Sequence, residues 1–299
     1  MGYIKKLCKY IVDKEYRFLI LSNLGFFDSM NDEEYLKRKY KAILKKELNL
    51  ENPVTYNEKI QWMKLNDRKK MYTTLVDKYE TRKYVKKKIG EEYLIPLLGV
   101  WDNPDDIDFE KLPNRFVLKC NHNSGLGMCI CKNKSSLNIK KARRKLKKGM
   151  KENYYLKSRE WPYKNVKRKI IAEKYIGNED NVPDDYKFLV INGNIDNILV
   201  CKDREKGKPK FFYFDEHWNR LYCQKNEPID IYGIEKPDKL NKMIEIVNEL
   251  SKGFKTVRID LYNLEGKIYF GEVTFYDQAG FETDITEQED FRRGEKLIL

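Results

Sequence analysis

Apolar positions recur along the chain with two spacings, near 3.6 and near 2, and these sort it into helices and strands. Ile4, Leu7, Ile11, Leu19 and Ile20 oppose Lys5, Lys6, Lys9, Lys14 and Arg17, which predicts a basic amphipathic helix over the first 22 residues. A second helix is expected over residues 30–50, with Asn31 or Asp32 as its N-cap. Thr55-Tyr-Asn-Glu58 reads as a capping box opening a helix through Leu65. Residues 72–89 read as one further helix, ended by Gly90. The apolar run 93–101 is interrupted by Pro96, so it is expected at a sheet edge or as a crossing segment.

Residues 115–120 form a strand in which Lys119 faces away from Leu118. A polar, glycine-bearing loop follows over 121–128, then a returning strand over 129–132. Residues 138–153 form a lysine-rich helix, and 170–176 a strand. Residues 186–191 and 197–201 are strands joined at Asn192-Gly193, a strong hairpin signal. A strand over 210–214, a helix over 238–252, and strands over 256–263 and 267–275 joined across Gly266 complete the pattern. Alternating helices and strands with several hairpins predict a mixed α/β protein with antiparallel sheets.

Composition narrows the class. With 299 residues, 41% hydrophobic and 13% aromatic, the chain can bury a real core, which excludes collagen-like, mucin-like, disordered and multi-pass membrane readings. Cys8, Cys120, Cys129, Cys131, Cys201 and Cys223 are scattered, and His122 and His217 are the two histidines. That pattern spells no zinc site and suits reduced cytosolic thiols. No signal peptide is expected at the N-terminus, and no run approaches the ~20 apolar residues of a spanning helix.

Charge changes the picture more. The formal net charge is +13, yet residues 132–169 alone carry 16 basic and 2 acidic side chains, and residues 170–299 are net negative. The basic segment should attract a polyanion: an acidic glycan, an anionic lipid or a nucleic acid. Packing against the body of the protein is the ordinary fate of an amphipathic helix, but the basic one at the N-terminus could also rest on an anionic membrane surface.

Candidate chemistry lies in two places. Backbone N–H groups of the 121–128 loop, next to Lys119, could approach phosphate oxygens. In the last hairpin, a three-residue loop with Gly266 left-handed would place Glu272 opposite Arg258 and Asp260 opposite Phe270. Asp260 and Glu272 would then share a face at a diagonal of about 7–8 Å, close enough to share a magnesium ion. A loop of different parity would separate them. Lys187 adds a cation on another strand.

The order of these pieces resembles the ATP-grasp superfamily, and within it the TupA-like branch associated with polysaccharide and teichuronopeptide synthesis. The resembling stretches are Asn52-Pro-Val-Thr-Tyr-Asn-Glu-Lys-Ile-Gln-Trp62, Leu75-Val-Asp-Lys-Tyr79, Phe116-Val-Leu-Lys-Cys-Asn-His122 with Ser124-Gly125, and Arg159-Glu-Trp-Pro-Tyr163. Further on they are Ala172-Glu-Lys-Tyr175, Asp185-Tyr-Lys-Phe188, Val257-Arg-Ile-Asp-Leu-Tyr262 and Tyr269-Phe-Gly-Glu-Val-Thr-Phe275. The resemblance implies an α/β ATP-grasp fold: two mixed or antiparallel sheet subdomains clasping a nucleotide, with a helical N-terminal extension. The expected division is extension 1–51, pre-grasp region 52–112 and grasp domain 113–299.

The resemblance also implies roles. Lys119 and Lys187 would contact phosphates, and the loop with His122, Ser124 and Gly125 would close over them. Glu173, Lys174, Tyr175 and Ile176 would line the adenine pocket, and Glu179 would hold the ribose. Asp260 and Glu272 would hold magnesium, with Thr274 at a position where the family usually carries asparagine. Arg258, with Lys187, would face the transferred phosphoryl group. The implied activity is ATP-dependent ligation of a carboxylate to an amine through an acyl phosphate, with an acidic glycan or lipid-linked saccharide as acceptor. The expected workplace is the cytoplasm, at or near the inner face of the cell membrane. The rival readings are a capsule glycosyltransferase, which would favour a compact Asp-x-Asp, and a nucleic-acid-binding module, for which Tyr154, Tyr155, Trp161 and Tyr163 supply aromatic faces beside the basic segment.

Overall fold

The computed structural model describes residues 3–177, 183–202, 209–226 and 234–299. The expected first helix is two: α1 (Tyr3–Val12) and α2 (Lys14–Asn23). Asp13 divides them, because its carboxylate accepts the Tyr16 N–H at 2.9 Å and caps α2. Phe18 of α2 is buried, whereas Leu7, Ile11 and Val12 of α1 are exposed. α3 (Asp32–Leu44) starts at the Asn31 cap, and α4 (Tyr56–Asn66) at the expected Thr55–Glu58 capping box.

The single helix expected over 72–89 is also broken, into α5 (Lys70–Val76) and α6 (Thr81–Lys88). Asp77 is the cause. Its Oδ1 accepts the N–H groups of Tyr79 at 2.8 Å and Glu80 at 3.2 Å and the Asn121 amide at 2.8 Å, offering the backbone a turn in place of helix.

Four strands make the smaller sheet: β1 (Leu97–Trp101), β2 (Phe116–Cys120), β3 (Cys129–Cys131) and, after α7 (Ile139–Lys151) and α8 (Tyr154–Ser158), β4 (Ile170–Lys174). Their order is β1-β4-β2-β3, all antiparallel, with β1 at the edge that Pro96 demands. β1 thus shares a sheet with strands beyond residue 113, although it precedes that expected boundary. Ala142 and Leu146 of α7 pack on Phe116, Leu118, Ile170 and Ala172, so the basic helix buries a narrow apolar stripe on this sheet.

The larger sheet contains β5 (Asp184–Ile191), β6 (Asn194–Lys202), β7 (Lys210–Phe214), β8 (Arg220–Leu221) and, after α9 (Leu240–Leu250), β9 (Thr256–Leu264) and β10 (Lys267–Thr274). Its order is β10-β9-β5-β6-β7-β8. The β5–β6 turn is Asn192-Gly193, both at positive φ, as the hairpin signal requires. One face, with Phe188, Val190, Val200, Ile259 and Leu261, packs against Met243, Ile246, Val247 and Leu250 of α9 and Ile60 and Met63 of α4. Each such side chain contributes about 1.5–3 kcal/mol on burial. α10 (Glu287–Lys296) closes the chain, and a parallel bridge from Leu94 to Phe270 ties the entry of the small sheet to the large one. All six cysteines are free, Cys8 exposed and the others buried.

Candidate functional site

The face of the large sheet opposite α9 carries the charges. β9 and β10 are joined by two residues, Glu265 and Gly266, both left-handed, so Lys267 pairs with Leu264. This corrects the three-residue loop expected from the sequence. A regular hairpin of that length would pair Glu272 with Ile259 and turn it away from Asp260. A bulge between Phe270 and Glu272 prevents this: Gly271 is the extra residue, Glu272 lies directly opposite Asp260, and Thr274 lies opposite Arg258. A Cβ at Gly271 would stand 3.0 Å from the Asp260 carbonyl oxygen. Gly271→Ala should therefore displace the Asp260 carbonyl by a few tenths of an ångström and lower turnover several-fold, less than the roughly 10²-fold that a displacement near 1 Å at a reacting centre costs. A variant with unaltered kinetics would show that the bulge does not position the acids.

Around this pair, Arg258 donates to Asp260 at 2.7 and 2.9 Å and to Glu272 Oε1 at 3.2 Å, and also bonds Asp277. Lys187, opposite Asp260 on β5, bonds Asp260 and lies 2.8 Å from Asp185. Burial pushes the Asp260 carboxyl upward, but Arg258 and Lys187 override it and hold it below its ordinary range. Burial likewise opposes ionisation of Glu272, and Lys78 and Arg258 bring it below the usual value. Both acids are thus held as carboxylates. Lys187 is raised despite burial, chiefly by Asp260.

The small sheet presents a second cluster. Lys119 of β2 lies 2.6 Å from Glu173 of β4, and Arg82 holds the other oxygen of Glu173 at 3.1 Å. Lys174 is exposed and its N–H donates to the Pro96 carbonyl at 2.9 Å. Tyr175 is buried under the Arg115 guanidinium, 4.6 Å from its ring centre, and among the described residues its hydroxyl has no hydrogen-bond partner. Ile176 is half-buried, and Glu179 lies outside the described residues.

In the 121–128 loop, Ser124 and Gly125 form the exposed tip. Asn123 is anchored to Glu152 at 2.8 Å, and Gly127 approaches α7 so closely that a Cβ on Gly149 would meet its Cα at 2.9 Å. The phosphate-loop candidate therefore rests on the basic helix. His122 is buried beneath the tip, its Nε2 3.2 Å from the Glu152 carbonyl. Burial pushes its pKa below the ordinary value.

The broken helix joins the clusters. Lys78 donates to the Asn123 carbonyl at 2.7 Å and lies 3.6 Å from Glu272; one turn later Arg82 reaches Glu173. Lys78, Arg82 and Asp277 have no role in the sequence reading. The Asp77-Lys78 pair was a signal for the first; the others depend on contacts between distant segments. Among the described residues, no group of three or more His, Cys, Asp or Glu side chains is arranged to hold a metal ion. Two opposed carboxylates nonetheless fit magnesium, which commonly takes one or two protein oxygens and completes its shell with phosphate oxygens and water.

A family model described as TupA-like ATPgrasp matches residues 58–298. No curated protein matches the chain. Among solved structures, D-alanine–D-alanine ligase from Bacillus anthracis complexed with ATP is 18% identical with a TM-score of 0.39, covering 68% of this chain and 54% of that one. N5-carboxyaminoimidazole synthetase from Staphylococcus aureus complexed with ADP is 15% identical with a TM-score of 0.45, covering 74% and 52%. L-amino acid ligase from Bacillus licheniformis is 14% identical with a TM-score of 0.41, covering 75% and 49%. The aligned region spans about half the length of these structures.

Proposed function

The chain belongs to the TupA-like ATP-grasp family, and from that premise we propose that it is an ATP-dependent carboxylate–amine ligase that works through an acyl phosphate on a cell-surface polysaccharide or its acidic precursor. The observation that carries the reading is the placement of Lys78. It bridges the Asp260–Glu272–Arg258–Lys187 cluster on one sheet and the 121–128 loop on the other, while Arg82 reaches the Lys119–Glu173 pair.

The chemistry demands this concentration of charge. A carboxylate and a triphosphate repel each other, so Lys119, Lys187 and Arg258 must draw both together and stabilise the charge that develops on phosphoryl transfer. Asp260 and Glu272, with Thr274 beside them, would hold magnesium, which would supply neutralisation of phosphate charge. The exposed N–H groups at Ser124 and Gly125 cover the phosphates, and the 173–176 segment receives the adenine. The carboxylate oxygen attacks the γ-phosphorus, ADP leaves, and an amine then displaces phosphate from the acyl carbon.

The acceptor side rests on α7. Arg143 is committed to the Asp105 and Ile107 carbonyls at 3.0 Å, and Lys147 pairs with Asp105 at 2.6 Å. Lys140, Lys141, Arg144 and Lys145 are exposed and have no acidic partner among the described residues. Replacing these four with glutamine should weaken binding of polygalacturonate roughly tenfold and leave ATP-induced thermal stabilisation unchanged. Equal loss of both would remove α7 from acceptor binding. A membrane-side workplace is supported by α1, which exposes Leu7, Ile11 and Val12 beside Lys5, Lys6 and Lys9. Among the described residues, no helix is long and apolar enough to cross a membrane.

The reading is tested by ADP release from MgATP with D-glucuronate or L-glutamate as carboxylate and an amine as co-substrate. Carboxylate-dependent ADP release supports it. Release of UDP from a nucleotide sugar, with no ADP release on any carboxylate, would replace it with a glycosyltransferase.

A further inference from the structure

Glu160, in the Arg159-Glu-Trp-Pro-Tyr163 motif, has no part in the ligase reading so far. Its neighbour Arg159 is 1% exposed and left-handed at φ 53°. The Arg159 guanidinium donates to the carbonyls of Phe27, Asp28 and Met30 at 2.8, 3.2 and 3.3 Å. A short 3-10 turn, Trp161–Tyr163, follows. The backbone of Glu160 is thereby clamped from both sides.

Glu160 is 5% exposed as a residue; among the described residues no donor bonds its carboxylate and no cation lies within ion-pair distance, but its oxygens are not fully enclosed, so they open to solvent. The nearby cations have their donors engaged elsewhere. Lys64 of α4 donates to Gln61 Oε1 at 2.9 Å and to the carbonyls of Ser158 and Ala279 at 2.9 and 2.6 Å. Lys39 of α3 bonds the Lys157 carbonyl and the Ser158 hydroxyl. Arg258 of β9 is held by Asp260, Glu272 and Asp277. A carboxylate set in a buried residue, reached by solvent and by no protein donor, is open to a donor that enters from outside.

The surroundings suggest one. Tyr154 and Tyr163, packed edge to face with ring centres 4.7 Å apart, lie within electrostatic reach of Glu160, Glu272 and Arg258 alike. Lys64 ties the Ser158 carbonyl, two residues before Glu160, to the Ala279 carbonyl, two residues after the Asp277 that bonds Arg258, so Glu160 stands near the cluster that would carry the acyl phosphate.

We propose that Glu160 receives the attacking amine and takes its proton. This deepens the ligase reading and rests on it. The substrate ammonium passes one proton to Glu160, and the freed nitrogen lone pair attacks the acyl carbon. The C–O bond to phosphate breaks, the nitrogen's second proton leaves with the phosphate as hydrogen phosphate, and the amide keeps the third. Glu160 then returns its proton to solvent. Burial pushes the Glu160 carboxyl well above the usual range, and Lys64, Lys39 and Arg258 oppose that rise while Asp277 adds to it. Burial pushes Lys64 downward in turn. A positively charged amine entering this space restores the carboxylate and so prepares its own deprotonation.

The test uses the full chain with MgATP, D-glucuronate or L-glutamate, and two nucleophiles: ethanolamine, which arrives protonated, and hydroxylamine, which is largely unprotonated at neutral pH. Glu160→Gln should lower the ethanolamine reaction by about 10²-fold, change the hydroxylamine reaction by less than about threefold, and keep MgATP-induced thermal stabilisation. Glu160→Asp, which retains a carboxylate, should recover part of the ethanolamine rate. Equal loss with both nucleophiles, loss of MgATP stabilisation in both variants, or an unchanged ethanolamine rate would each overturn the proposal. Wild-type protein that releases ADP with no carboxylate and either nucleophile would instead overturn the ligase reading itself.

Discussion

An Asp260→Asn variant is expected to lose about 10³-fold in carboxylate-dependent ADP release while remaining folded, because the lost charge acts in a water-poor site. Asp260 is 2% exposed and stands at the centre of the cluster, opposite Glu272 on one side and Lys187 on the other. Its two oxygens receive Arg258, and Lys187 bonds one of them. Asparagine keeps the shape and removes the charge that would help hold magnesium. Folding should survive, since Lys187 retains Asp185 at 2.8 Å and Arg258 retains Asp277 and Glu272. The measurement is paired: steady-state ADP release, and the thermal shift caused by ATP with magnesium against ATP with a chelator. Wild type should distinguish the two shifts and the variant should not. A variant that keeps both the rate and the magnesium-dependent shift would remove Asp260 from the site.

The largest stability effect is expected elsewhere on the same sheet, on the strand beside β5. Asp196 of β6 is fully enclosed at its side chain and receives Arg292 at 2.8 and 2.9 Å and Lys296 at 2.8 Å, with Arg293 3.5 Å away. These cations belong to α10, so Asp196 fastens that helix to the large sheet. Burial alone would raise its carboxyl; hydrogen bonds from Arg292 and Lys296 and the charge of Arg293 win and hold it at about 2. Because the folded value lies below the unfolded value of about 3.9, the ionised form stabilises the native state above that pH. The contribution is lost as pH falls through about 4 towards 2. Asp196→Asn should therefore unfold about 3 kcal/mol more easily at pH 7, and the gap to wild type should narrow steadily below about pH 4. Urea denaturation at pH 7 and at pH 3 checks both parts. A gap that is small at pH 7, or that widens in acid, would show that the pair network is not what holds α10.

Much of the fold was legible because it is written in local patterns. The Thr55–Glu58 capping box, the Asn31 cap, the Asn192-Gly193 turn and the alternation of β5 and β9 each depend on residues within a few positions of one another. Two helices read as continuous are each broken in two, for one reason. Asp13 and Asp77 each turn a side-chain oxygen onto following N–H groups, a competition that apolar periodicity does not register. The four residues Arg258, Asp260, Glu272 and Lys187 were expected to converge, and they share one sheet face, but through a different register from the one anticipated.

By itself the sequence determined the inventory: which segments are strands or helices, where the positive charge accumulates over 132–169, and which acids and bases were candidates for the site. The tertiary structure decided their relations. The Gly271 bulge turns Glu272 towards Asp260; Lys78 and Arg82 span two sheets; Gly127 meets Gly149 and seats the loop on the basic helix; and Glu160 is set among cations already engaged. The physical reason is that periodicity and capping are set by neighbours along the chain. Register, close approach and the charge felt by a buried group are set by residues tens to hundreds of positions away, which meet once the sheets have formed.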